Sequence, residues 1–398
     1  MRSVHNAARG AKLPGLFLLS LMALGLVSAS LTGCGSRSTT TVEAPSDEPP
    51  PLLSALGLFA GNGSTQQPAA GVIPYDLTSA LFSDYTSKYR FVKLPPGTKA
   101  KYDPQKAFEF PLGTIIAKTF AYPHDMRDPS KGQRLLETRI LIHKPDGWVG
   151  YPYIWNESQT DATLELAGGT IPSKWIHTDG QERSNNYLIP DANQCKGCHK
   201  SDNKVQQPIG PKARYLNRDF AYAEGTENQL AHWTRIGALE GAPTPAAAPI
   251  AATWNDSSTG TLDQRARAWL DINCGHCHGP EGPARNSGLD LTYLQEHLFR
   301  IGVFKPPVAA GRGSGGLSYD IVPGKPDESI LAYRIAATAP DIMMPELGKR
   351  MVPEEAVAMI REWIAAMPAN TGEKAAAGDK PAAAEKSAVP STPGEAGK

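Results

Sequence analysis

Leu135-Leu136-Glu137-Thr138-Arg139-Ile140-Leu141-Ile142-His143 leads into Pro145-Asp146-Gly147 and out through Trp148 to Trp155. The first run is rich in β-branched and long apolar residues. The second is rich in aromatics. A Pro-Asp-Gly turn between two such runs predicts a β-hairpin. Working outward, Thr114 to Phe120 and Phe108-Glu109-Phe110 are further β-prone runs bounded by Gly, Pro and Asp clusters. Residues 71–190 are therefore predicted to form a β-rich domain, a small sandwich or barrel. This segment carries no recognisable catalytic motif. Its polar residues Asp84, Glu137, Arg139, Asn156 and Glu157 are read as solvated strand faces rather than a polar site.

Beyond residue 190 the pattern changes to helical spacing. Leu262, Ala266, Trp269 and Leu270 repeat along one helical face. Near the end, Pro353 is followed by Glu354 and Glu355, a favourable first turn, and Ala356, Ile360, Trp363 and Met367 line one side. The fold class is α+β multidomain, a β-rich N-terminal part followed by mainly helical regions. Predicted boundaries are 191–250 and 261–368, separated by the Ala/Pro segment 241–253. The chain has 398 residues, enough for two or three domains. Lys+Arg and Asp+Glu are both 40. This balance gives no reason to expect nucleic acid as a partner.

The N-terminus reads as a targeting signal. Arg2, Arg9 and Lys12 precede the mostly apolar run Leu13 to Leu31, which Pro14, Gly15 and Gly25 interrupt. A membrane-spanning helix needs roughly 20 apolar residues in a row. Leu31-Thr32-Gly33-Cys34 resembles a bacterial lipobox, which implies a signal peptide over 1–33 and lipidation of Cys34. By resemblance to enterobacterial lipoproteins, Gly35 in place of aspartate implies the outer membrane, facing the periplasm or the cell surface. Residues 34–70 are read as a flexible tether and 369–398 as a disordered tail.

The four remaining cysteines carry the chemistry. Cys195-Lys196-Gly197-Cys198-His199 and Cys274-Gly275-His276-Cys277-His278 both match Cys-x-x-Cys-His. Two cysteines three apart can each add to a haem vinyl group, and the adjacent histidine then ligates the iron. Two such motifs, with no cysteine to spare in an exported chain, predict two covalent c-type haems. A single zinc site made of both pairs requires them to converge and leaves the doubled histidine unexplained. Redox dithiols lack the surrounding βαβ pattern. Met344 is the candidate sixth ligand of the second haem, and a thioether there raises the potential. For the first haem His177 and His232 are both candidates. His276, between its two cysteines, is read as a loop residue.

The chain from about Tyr75 to Trp363 resembles a family of uncharacterised bacterial dihaem c-type cytochromes, many of them lipoproteins. The resemblance rests on Leu81-Phe82-Ser83-Asp84, Glu137-Thr138-Arg139, Tyr153-Ile154-Trp155-Asn156-Glu157, Pro208-Ile209-Gly210-Pro211-Lys212, Asn273-Cys274 and Met344-Pro345-Glu346-Leu347-Gly348. The C-terminal part also resembles class I cytochrome c domains, through Pro323-Gly324-Lys325-Pro326 and the Met344-Pro345 pair. The order of haem motif, methionine loop and closing helix implies Met344 as ligand. Together these resemblances imply electron transfer with a periplasmic or surface redox protein, the membrane being reached through the lipid anchor. A dihaem hydrogen peroxide reductase with one open iron is the second reading. Such enzymes also carry two Cys-x-x-Cys-His motifs, but they lack a long β-rich leader and space the motifs further apart.

Overall fold

The computed structural model describes residues 48–200, 206–369 and 371. The leader 1–33, the lipobox Cys34 and the tail from 372 lie outside the described residues.

The predicted hairpin is the centre of the structure. The strands are β1 (Val72–Tyr75), β2 (Ser87–Lys93), β3 (Ala100–Lys101), β4 (Ile115–Pro123), β5 (Gln133–Lys144), β6 (Gly147–Trp155) and β7 (Ala162–Leu164). All but β3 form one antiparallel sheet, ordered β1-β2-β4-β5-β6-β7. The β5–β6 turn closes at the Lys144–Gly147 pair, and Gly147 takes a φ of 111°, which glycine adopts freely. Phe108 and Phe110 are buried, but their segment makes only an isolated bridge from Glu109 to Lys101.

Side chains alternate across the sheet, so each cross-strand row belongs to one face. Phe91, Ala117, Ile140 and Tyr151 form one row. They bury that face together with Leu53 and Leu58 from upstream. Residues 48–70, part of the predicted tether, therefore pack on the sheet; Leu53 and Leu58 are each only 1% exposed. Burying each leucine contributes about 1.5–3 kcal/mol toward ordering this Pro- and Gly-rich segment.

The opposite face has three kinds of row. Val92, Ile116, Leu141 and Gly150 are apolar or small. Arg90, Lys118 and Arg139 form a cationic row beside them, and Lys88, Phe120, Glu137 and Ile154 make the third. The hairpin β8 (Gly169–Ile176) and β9 (Glu182–Ile189) covers the Phe120 end. There Tyr122 stacks on Trp175 with centroids 4.1 Å apart.

The predicted solvated faces at Asp84 and Glu137 are corrected by this packing. Glu137 is fully buried; it accepts hydrogen bonds from Arg139 at 2.5 and 2.9 Å and from Tyr187 Oη at 2.7 Å. A buried carboxylate persists only with such partners. Asp84 is also buried, accepting the backbone N–H groups of Arg350 and Met351 at 2.7 and 2.8 Å. Asn156 and Glu157 are exposed, as read from the sequence.

Helices are few and mostly short after residue 190. They are α1 (Ala192–His199), α2 (Ala213–Leu216), α3 (Gln229–Arg235), α4 (Leu262–Leu270), α5 (Leu298–Ile301), α6 (Ile330–Ile335) and α7 (Glu354–Ala366). Between α2 and α3 lies a small hairpin, β10 (Asp219–Tyr222) and β11 (Gly225–Asn228), and β12 (Leu239–Glu240) pairs in parallel with β3. Thr261 and Gln264 cap α4 reciprocally. The apolar stripes of α4 and α7 meet in one cluster around Trp269, Ile360 and Trp363. A separate cluster joins Val92, Ile116 and Trp148 of the sheet to Tyr215, Trp233, Ala268 and Ile272. Packing thus runs across the boundaries near 190 and 250. Among the described residues no helix is long and apolar enough to cross a membrane.

Candidate functional site

The first motif is carried by α1. Asp191 and Gln194 form a capping box: Asp191 Oδ1 accepts the Gln194 N–H at 2.7 Å, and Gln194 Oε1 accepts the Asp191 N–H at 3.0 Å. Residues three and four apart share a helix face, so Cys195, Cys198 and His199 project together. The helix rests on Gly150 of β6. A Cβ built there would lie 3.2 Å from Cys195 Cβ, so any larger residue crowds the motif.

The second motif begins where α4 passes into a π-helical turn, Asp271–Gly275. Such turns concentrate at functional sites. Gly282 closes the loop behind it. A Cβ at this position would lie 2.1 Å from the Cys277 carbonyl oxygen, so only glycine fits.

All four cysteines are free thiols. Both histidines have Nδ1 engaged. His199 Nδ1–H donates to the Gln207 carbonyl at 2.8 Å. His278 Nδ1 is hydrogen-bonded to Ser287 Oγ at 3.0 Å. A carbonyl only accepts, so the His199 proton sits on Nδ1 and the lone pair on Nε2. Second-shell bonds of this kind orient metal-ligating imidazoles. Burial pushes both imidazoles down to about 4, so they are neutral at pH 7 and able to ligate. Burial also pushes the Cys274 thiol up to about 12. These thiols and imidazoles are the donor set that a covalently attached haem requires. Among the described residues no group of three or more His, Cys, Asp or Glu side chains is arranged to hold a metal ion by itself.

The two motifs converge. Cys277 lies close enough to Cys198 for the two thiols to interact, which holds Cys198 low and Cys277 high. His276 also acts electrostatically on Cys198 and lines one cleft with it. His276 therefore reaches across to the other motif. Between the motifs lies a cleft of about 290 Å³, lined by Cys198, His199, His276, Lys212, Arg214 and Glu281 among others.

The methionine loop lies against both motifs. A Cβ on Gly197 would meet Leu347 Cδ1 at 3.4 Å. Glu346 acts electrostatically on Cys277, and Lys349 on Cys274. Met343 is buried and Met344 half-buried. The Met344 N–H donates to the Arg334 carbonyl at 3.0 Å, while Arg334 Nε donates to the Ile342 carbonyl at 2.8 Å.

The other histidines are held elsewhere. His232 pairs with Glu227 at 2.9 Å and stacks on Tyr222. His177 lies edge-on to Tyr85, with Nε2 3.5 Å from Glu355 of α7. Neither is brought to the first motif by a described contact.

Sequence reasoning took His276 for a loop residue, gave Leu347 no role beyond its place in the methionine motif, and passed over Asp271. For His276 a signal existed, because a titratable ring inside the attachment loop moves with it. Comparison of the chain with family models, curated proteins and solved structures gives no match.

Proposed function

We propose that this chain is a dihaem c-type cytochrome that transfers electrons. The observation carrying the proposal is the pair of Cys-x-x-Cys-His motifs, each with free thiols and with the Nδ1 of its histidine already engaged. Cys195 and Cys198 would bond one haem and Cys274 and Cys277 the other. His199 and His278 would ligate iron through Nε2. A bound haem supplies a one-electron ferric/ferrous couple.

The polypeptide's part is to attach, orient and tune. Gln207 and Ser287 hold the imidazole planes. The loop at Met344 is assigned the sixth ligand of the second haem, and the part from 261 to 368 a class I cytochrome c-like role. Anchoring through lipid at Cys34 would keep the protein at the outer membrane, exchanging electrons with a periplasmic or surface redox protein.

The test is co-expression of the mature chain with a haem-maturation system, followed by pyridine haemochrome analysis. Two haems per chain are expected. Replacing Cys195 and Cys198 by serine, or Cys274 and Cys277, should each remove one. Undiminished haem content in either double variant contradicts the assignment.

A further inference from the structure

Cys198 and His199 of the first motif line one cleft with Gly275 and His276 of the second, and Cys198 and Cys277, from different motifs, lie close enough to shift one another's ionisation. Each is the second cysteine of its motif. Each, on the function proposed above, becomes a thioether on the edge of its own porphyrin. We propose that the two haem sites form a single coupled pair joined at Cys198 and Cys277, so that electrons pass between motifs inside the chain.

Four further observations hold the motifs in this relation. His276, fixed between Cys274 and Cys277, lines the same cleft as Cys198 and His199. Leu347 of the methionine loop lies against Gly197 of the first motif. Arg214 and Tyr215, downstream of the first motif, both donate to Asp271, which opens the turn carrying the second. Lys106 pairs with Glu281 at 2.7 Å across the mouth of the cleft. The contact is therefore braced by covalent loops, packing and charge on several sides. A carrier with two independent haems has no need of it. A pair meeting at one thioether edge each would give electrons a short path between the two motifs.

This inference rests on the haem reading, so its test has two arms. In the first, the mature chain is made without haem maturation, reduced, checked for folding by circular dichroism and exposed to glutathione disulfide. Two thiols then lose two protons and two electrons, forming one S–S bond while glutathione disulfide is reduced to two glutathiones. Peptide mapping is expected to find Cys198 linked to Cys277, and neither Cys198→Ser nor Cys277→Ser should show that link. Links confined to Cys195–Cys198 and Cys274–Cys277 would overturn the juxtaposition.

In the second arm, Soret circular dichroism is recorded on the two-haem protein and on the two single-site variants, Cys195→Ser/Cys198→Ser and Cys274→Ser/Cys277→Ser. A bisignate couplet is expected only in the two-haem protein. Its midpoint potentials should also differ from those of the single-haem variants. A spectrum equal to the sum of the two singles overturns the coupling even with both haems present. A chain that forms the Cys198–Cys277 link but takes up no haem overturns the proposed function, and the haem pair with it, while leaving the contact established.

Discussion

Arg214 donates two hydrogen bonds to Asp271 Oδ2, at 2.9 and 3.1 Å, from a side chain nearly as buried as the carboxylate it binds. Tyr215 Oη donates to the same oxygen, the Tyr293 N–H donates to Oδ1 at 3.1 Å, and Lys212 stands 3.9 Å away. One carboxylate thus ties the segment after the first motif to the turn that starts the second. Burial alone raises an aspartate pKa; here Lys212, Arg214 and Tyr215 outweigh it and hold Asp271 below the usual carboxylate range.

Asp271→Asn should destabilise the protein by about 3–5 kcal/mol, because it leaves the buried Arg214 uncompensated. Linkage gives the pH sign. A depressed folded pKa contributes stability that is complete above the unfolded aspartate value, near 3.9, and is lost as pH falls through the folded one. Thermal melts between pH 3 and 7 should therefore show a steeper acid loss in wild type than in Asp271→Asn. Parallel curves would contradict this role.

Lys118 works in the opposite sense. Burial first, then its cross-strand neighbours Arg139 and Arg90, push it down to about 7. The unfolded chain therefore binds more protons between about pH 7 and the ordinary lysine value near 10.4, and stability rises with pH across that window. Lys118→Met should reduce this rise and increase Tm at pH 7 by on the order of 2 °C. An unchanged alkaline slope in denaturant titrations would count against it.

Met344→Ala addresses the second iron. Loss of a thioether ligand should lower one midpoint potential, leave the other nearly in place and remove the weak long-wavelength band of sulfur ligation. A drop on the order of 0.1 V is expected, a fraction of the roughly 0.8 V that axial ligands span. Redox titration with both potentials unmoved would remove Met344 from the assignment.

Gly282→Ala tests the loop behind the second motif. With the added carbon 2.1 Å from the Cys277 carbonyl, the loop must shift. Overpacking of this kind costs about 1–3 kcal/mol. Haem content should fall at the second motif alone, measured with the Cys195→Ser/Cys198→Ser variant as background. Full incorporation there would show that the loop yields easily.

The hairpin from Leu135 to Trp155 was legible because alternation and turn chemistry are local signals. So were α4 and α7, whose apolar stripes repeat at helical spacing. The burial of Glu137 was not legible. Its partner Tyr187 comes from a different hairpin, and only the tertiary fold brings the hydroxyl to the carboxylate. Asp84 was misread for the same reason, since its backbone donors belong to Arg350 and Met351, far along the chain. Leu53 and Leu58 sit among prolines, serines and glycines, and composition concealed two core residues. The paired thiols and their histidines were plain in the sequence. That the two motifs line one cleft depends on how residues 206–270 fold back, which no local pattern announces.

The central claim is covalent haem at both motifs, and intact-protein mass spectrometry tests it most directly. The mature chain, expressed with haem maturation, should weigh as much as the polypeptide plus two haems, with thioether adducts mapping to Cys195, Cys198, Cys274 and Cys277. A mass equal to the bare polypeptide, with no Soret absorption, would contradict the account.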